Sequence, residues 1–237
     1  MFVPKKIHRV AVLLSLIVSL VALGCSSLYV KGPKDSWVDV VNHVKPATVK
    51  IYIGDLDMVT EEPVIVGSGS GFIVREDGII VTAAHVAQIT DKLWRPWILV
   101  TLCDDTEYLA PLETVRVFPK HDIAILQIKA KDLPVLEFEE DPLVKGESVM
   151  VMGSSSVSNW AVTDGIVSNI DTGYYKDTHY GFIQMTATVN PGYSGGPVVN
   201  VKGKVVGVSI AIALKQNETY IATLGSIVQE LVNSLIS

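Results

Sequence analysis

Asn190-Pro191-Gly192-Tyr193-Ser194-Gly195-Gly196-Pro197 is the stretch on which the reading of this sequence turns. A serine lies among glycines, and a proline closes the run. Gly192 can place its backbone N–H where a side chain would forbid it, and Gly195 and Gly196 clear bulk from the far side of the hydroxyl. The N–H groups of Gly192 and Ser194 can then converge on one point, where an oxygen gaining negative charge would be held. The same octet also reads as an ordinary turn between strands, because Gly, Asn, Ser and Pro are turn residues. Which reading holds depends on whether the rest of the chain supplies a base and a group that orients it.

Outward from the octet, residues 180–189 read as a strand leading in. Residues 198–200, the turn Lys202-Gly203 and residues 205–214 read as a hairpin behind it. Far upstream, Gly67-Ser68-Gly69-Ser70-Gly71-Phe72-Ile73-Val74 alternates glycine ahead of a β-rich run, a pattern that lets two backbones approach. Asp77-Gly78 is a hairpin turn signal. Residues 79–82 form the next strand and run into Ala83-Ala84-His85-Val86, so His85 follows a strand end among small residues that leave it accessible. Asp122 heads the apolar strand 123–128, where a carboxylate is either a turn residue or a group held partly out of water. Further strands are expected at 47–53, 64–66, 98–103, 108–118, 147–152 and 220–223.

Between these strands, residues 55–62 read as an acidic loop and 88–97 as a loop whose Trp94 and Trp97 close a core or form a rim. Trp37–Val44 has helical spacing, with Trp37, Val40, Val41 and Val44 on one face, and Pro46 ends it. Residues 224–235 close the chain as an amphipathic helix with Leu224, Ile227, Val228, Leu231 and Leu235 in register. Residues 133–145 are the candidate linker, their acids at 137, 139, 140 and 141 a solvated face. Many short strands with turn residues between them indicate an all-β sandwich or barrel, here in two halves about the linker.

The chain has 237 residues, 49% hydrophobic and 19% charged, enough for one large domain or two small ones. Lys5, Lys6, His8 and Arg9 form a basic start, followed by 14 uncharged residues from Val10 to Leu23. A comfortable membrane span needs about 20, and the run suits the core of a secretion signal. Ala22-Leu23-Gly24-Cys25 resembles the lipobox of bacterial lipoproteins, which implies cleavage before Cys25 and a lipid on its thiol. An uncleaved signal anchor is the other reading. Either way the chain is expected to be exported and tethered, with residues 25–36 as the tether. Ser26 favours the outer membrane in a diderm cell. Beyond residue 24 the chain carries 16 basic against 25 acidic side chains, a net −9. That excludes a nucleic-acid partner that wants a basic face. With Cys25 lipidated, Cys103 is the one remaining thiol, so no internal disulfide is expected.

His85, Asp122 and Ser194 stand in that order, 37 and then 72 residues apart. The order is one of the known ways to build a base, orienter and nucleophile triad. At this point the chain resembles the trypsin-like serine proteases of the HtrA/Deg group. The matching stretches are Gly69–Val74, Asp77-Gly78, Val81–Val86, His121–Leu126, Asp164-Gly165-Ile166-Val167-Ser168, Ile183-Gln184, Asn190-Pro191-Gly192 and Ser194–Pro197. The resemblance implies two six-stranded antiparallel β-barrels over residues 37–237, about 37–136 and 145–237, with the active cleft between them and a C-terminal helix.

By the same resemblance Ser194 is the nucleophile, His85 the general base and Asp122 the group that fixes its tautomer. The N–H groups of Gly192 and Ser194 form the oxyanion hole, and Ser209-Ile210-Ala211 match the edge strand that pairs with the substrate backbone. Thr188 lies in the region of the primary specificity pocket. No acid is there, so a small or medium aliphatic residue is expected before the cleaved bond. The implied function is a serine endopeptidase acting on unfolded or misfolded envelope polypeptides, with no cofactor and no metal. A catalytically silent, lipid-anchored protein that holds peptides in the same cleft is the alternative. Tyr193 departs from the Asn usual in the group; its ring either collapses the oxyanion loop at rest or lies on the surface. Thr186 stands where many relatives carry Asp. The sequence stops after the helix, so a following PDZ domain is not expected, and the homotrimer common in the group is left open.

Overall fold

The computed structural model describes residues 37–89, 92–154, 159–175, 178–210 and 220–236. The signal segment, Cys25, the tether and Ala211 lie outside the described residues. Helix α1 (Trp37–Val44) buries the predicted face, with Val44 fully enclosed and Trp37, Val40 and Val41 packed beside it. Pro46 sits in the 3-10 turn that stops it. The first sheet is built from β1 (Thr48–Leu56), β2 (Pro63–Arg75), β3 (Ile79–Ala83), β4 (Trp97–Thr101), β5 (Glu107–Ala110), β6 (Arg116–Phe118) and β7 (Ile123–Gln127). A short helix, α2 (Ala84–Ala87), follows β3.

This sheet has seven strands in the order β5-β4-β1-β2-β3-β7-β6, all antiparallel neighbours. The family resemblance implies six. The seventh arises because the single strand expected over 108–118 is cut at Pro111, which has no N–H for a ladder, and at a 3-10 turn over Leu112–Thr114. The pieces become the two edges of the sheet. Residues 111–115 alone separate them, so the edges lie within about 20 Å of each other. The sheet therefore curls nearly back on itself without closing its hydrogen-bond ladder.

The second half closes fully. Strands β8 (Ser148–Gly153), β9 (Ala161–Tyr175), β10 (Thr178–Met185), β11 (Pro197–Asn200), β12 (Val205–Ser209) and β13 (Tyr220–Leu224) form a six-stranded barrel in the order β10-β13-β12-β11-β8-β9. Helix α3 (Gly225–Ile236) follows. It buries Ile227, Val228 and Val232; Leu224 belongs to β13 and Leu235 is 43% exposed, so the apolar stripe is shorter than expected.

Apolar residues fill three clusters: one in the first half that also takes in Ile210 of the second, one inside the second half, and one between them where Phe72, Val81 and Ile123 meet Met150, Met152, Val205, Val208 and Val228. The segment between the halves is not a free linker. Leu136 donates its N–H to Ile73 O (2.9 Å), Val205 N–H reaches Glu137 O (2.8 Å), and Glu139 N–H reaches Val205 O (2.9 Å). Nor is its acidic run simply solvated. Glu139 accepts from Lys202 Nζ (3.1 Å) and Asn200 Nδ2 (2.6 Å), and Glu137 pairs with Lys204. Lys202, the Asp141 N–H and Asn200 together pull the Glu139 carboxyl down to about 2.

Asp55 is likewise no loop residue. It is the penultimate residue of β1, and its carboxylate receives the N–H groups of Leu56 (2.9 Å), Trp94 (2.9 Å) and Arg95 (2.6 Å). Burial pushes that carboxyl up, and the three donors outweigh it and hold it low. Trp97, the other tryptophan of that loop, lies directly on Gly54.

Candidate active site

The site lies where the end of β3, the turn before β7 and the glycine octet meet. Strand β3 delivers its last residues into α2, so His85 stands two residues past the strand, its side chain 45% exposed. Asp122 occupies the turn between β6 and β7 with φ +51°, a left-handed conformation that Asp tolerates better than most residues. The two segments are stitched together: Ala84 N–H donates to Asp122 O (2.9 Å), and His85 N–H donates to Asp122 Oδ1 (3.0 Å). The second carboxylate oxygen, Oδ2, lies 2.7 Å from His85 Nδ1. Asp122 thus holds the histidine by backbone and ring at once. With Nδ1 engaged by a carboxylate, the imidazole keeps its proton on that side and leaves Nε2 to act as a base.

The octet enters from the other half. Its Gly192 and Gly195 adopt φ +97° and +83°, where a side chain is strained. Gly195 also packs tightly against the first half. A Cβ there would stand 2.3 Å from both Ser70 O and Thr82 Oγ1, and 2.7 Å from Ala83 N. Gly69 lets β2 pass just as closely, since a Cβ on it would meet Val86 at 2.5 Å and Ser194 O at 3.0 Å. The neighbour of the candidate base and the backbone of the candidate nucleophile therefore flank one glycine.

Ser194 is 8% exposed and its carbonyl receives Ser70 N–H (2.8 Å). Among the described residues, the N–H groups of Gly192 and Ser194 have no hydrogen-bond partner, and no hydrogen bond joins the Ser194 hydroxyl to the His85 ring. The structure therefore pairs His85 with Asp122, brings the Ser194 loop alongside, and leaves the last contact unmade. Such bonds are often long before substrate arrives.

Other expected residues fall as follows. Thr188 is exposed, its carbonyl accepting from Thr163 Oγ1, while Ala187 and Val189 point into the barrel core. Ser209 does not offer a free edge to a substrate. Its N–H goes to Gly196 O (3.0 Å), its carbonyl receives Gly195 N–H (2.7 Å), and it pairs with Ala222 in the barrel. Ile210 donates to Ile221 O (3.1 Å) and is 4% exposed. Tyr193 is not on the surface: it is 4% exposed in the second-half core, against Gly153. Residues the sequence reading passes over also shape the site. Ser70 binds both sides of the octet, Thr82 Oγ1 holds Ser70 O (2.6 Å), and Thr223 Oγ1 holds His121 O (2.6 Å) next to Asp122. Their only signal is a small hydroxyl residue inside a strand pattern.

A curled β-sheet and a closed β-barrel meeting at a serine, a carboxylate-held imidazole and two open N–H groups define the class of β-fold serine peptidases. The family model for the trypsin-like peptidase domain matches residues 69–208, and the chain belongs to that family. It is similar to proteins named probable periplasmic serine endoprotease DegP-like. These include one from Pseudomonas putida strain GB-1 at 39% identity, one from Halomonas elongata at 40%, and one from Pseudomonas fluorescens strain Pf-5 at 41%. Each match runs over 145 residues, 61% of this chain and 29% of the relative. The chain matches less than a third of those relatives' length.

Proposed function

We propose that the chain is a serine endopeptidase that cleaves unfolded or misfolded polypeptides of the cell envelope through an acyl-enzyme. Ser194 Oγ attacks the substrate carbonyl carbon while His85 Nε2 takes its proton. The oxyanion of the tetrahedral intermediate is held by the N–H groups of Gly192 and Ser194, a donor of this kind contributing about 3 kcal/mol. The C–N bond then breaks as His85 returns the proton to the leaving amine, and water attacks the acyl-enzyme by the same route. Asp122 fixes the tautomer and stabilises the imidazolium. The observation that carries this reading is the double grip of Asp122 on His85, at 3.0 Å to its N–H and 2.7 Å to Nδ1, beside two backbone donors left open.

An envelope location is supported by the lipobox-like Ala22–Cys25 and by the relatives' names as periplasmic endoproteases; a lipid on Cys25 would tether the enzyme there, beside its polypeptide substrates. The Thr188 region carries no acid, which favours a small or medium aliphatic residue before the cleaved bond over Lys or Arg. A second reading, a silent peptide-binding protein, draws on the missing hydroxyl–imidazole bond. A fluorophosphonate probe separates the two. The wild type is expected to be labelled and Ser194→Ala to be blank; an unlabelled wild type favours the binder.

A further inference from the structure

The shape of the octet is set by two hydroxyls outside it. Ser70, on β2, and Ser209, on β12, are both fully buried. Ser70 Oγ receives Ser154 N–H (2.8 Å), and its own hydrogen goes to Gly192 O (2.7 Å). Ser209 Oγ donates to Tyr193 O, which also receives Gly196 N–H (2.9 Å). The carbonyls of two consecutive peptides are thereby held in place. A peptide unit is planar and trans, so its N–H points away from its C=O. Holding Tyr193 O therefore fixes the direction of Ser194 N–H. Holding Gly192 O, with Tyr193 N–H on Asn190 O (3.0 Å), locks the next plane, and only the torsions of Gly192 separate that plane from the Gly192 N–H.

We propose that Ser70 and Ser209 are positioning residues that preset the oxyanion hole, each by turning one peptide carbonyl of the octet into the protein so that the N–H groups face the reacting oxygen. The proposal rests on the acyl-transfer reading above. Neither hydroxyl touches substrate. Each acts through a backbone group, and one comes from each half of the molecule. Were they only structural hydroxyls, their loss would lower stability and leave the transition state untouched.

The test uses the full chain and the variants Ser70→Ala and Ser209→Ala. It measures kcat and KM on a peptide substrate, thermal stability, and the Ki of a peptide aldehyde that closes on Ser194 as a hemiacetal. Each variant is expected to lose about 10- to 100-fold in kcat, with KM within about twofold, and the aldehyde Ki is expected to rise by the same factor as kcat falls. Where Ser70→Ala does not fold, Ser70→Cys keeps the shape with a weaker donor and should show an intermediate loss. A variant with lowered stability but unchanged kcat and aldehyde affinity overturns the proposal while the enzyme reading stands. A wild type that takes neither fluorophosphonate nor aldehyde removes the enzyme reading, and the proposal falls with it.

Discussion

Asp122 shows how much one residue carries. Its backbone adopts φ +51°, and its carbonyl and both carboxylate oxygens are engaged by Ala84 and His85. Asp122→Asn would keep the size and place an amide against Nδ1, which drives the ring proton to the nitrogen that must act as base. A fall of about 10⁴-fold in kcat with little change in KM is expected from steady-state kinetics on a peptide. At this scale the triad candidates were legible, because reactive residue types stood inside recognisable local patterns. The parts played by the Ser70 and Ser209 hydroxyls were not: Ser70 in its glycine run looks like spacing and Ser209 reads as substrate-pairing backbone, until tertiary contact shows the Ser70 hydroxyl 2.7 Å from Gly192 O and the Ser209 hydroxyl on Tyr193 O. Tyr193 was unreadable for a related reason. Whether its ring collapses the loop, lies outside or fills the core depends on the room that Gly153 leaves beneath it.

Elements were legible where periodicity was strong and misread where one residue changes the ladder. The stripe of α1 and the strands β1, β3 and β7 follow their apolar patterns closely. The run over 108–118 looked continuous because Pro111 is flanked by strand formers, yet the missing N–H splits it between opposite edges of the sheet. The loop before β4 owes its shape to β1, since Trp97 at the start of β4 rests on Gly54 and Trp94 N–H binds Asp55. A Cβ on Gly54 would stand 1.9 Å from the indole, so the ring would have to leave its seat. Gly54→Ala is expected to cost about 1–3 kcal/mol in urea unfolding, with a shift in tryptophan emission. Unchanged stability and emission would show that the ring is not held there.

At the scale of the whole molecule, charge and proline dominate the acidic stretch between the halves, a pattern that predicts a linker with a solvated face. What ties it down is spread over distant positions: Ile73, Asn200, Lys202 and Val205. Glu139 gives this tie a pH signature. Its carboxyl falls from 4.5 to about 2 in the folded protein. The stabilisation is therefore complete above about pH 4.5 and disappears as the pH drops toward about 2. Thermal melts across that window should show Glu139→Gln with a lower Tm than wild type at pH 7 and a flatter acid decline; coincident curves would mean that the tie carries no stability. The same interdependence marks the octet, whose serine belongs to the barrel while the strut beneath it, Ser70, belongs to the curled sheet. Recombination between family members cannot trade these halves as interchangeable cassettes. A hybrid would inherit a working chemistry only when the mating surfaces on both sides descend from the same parent.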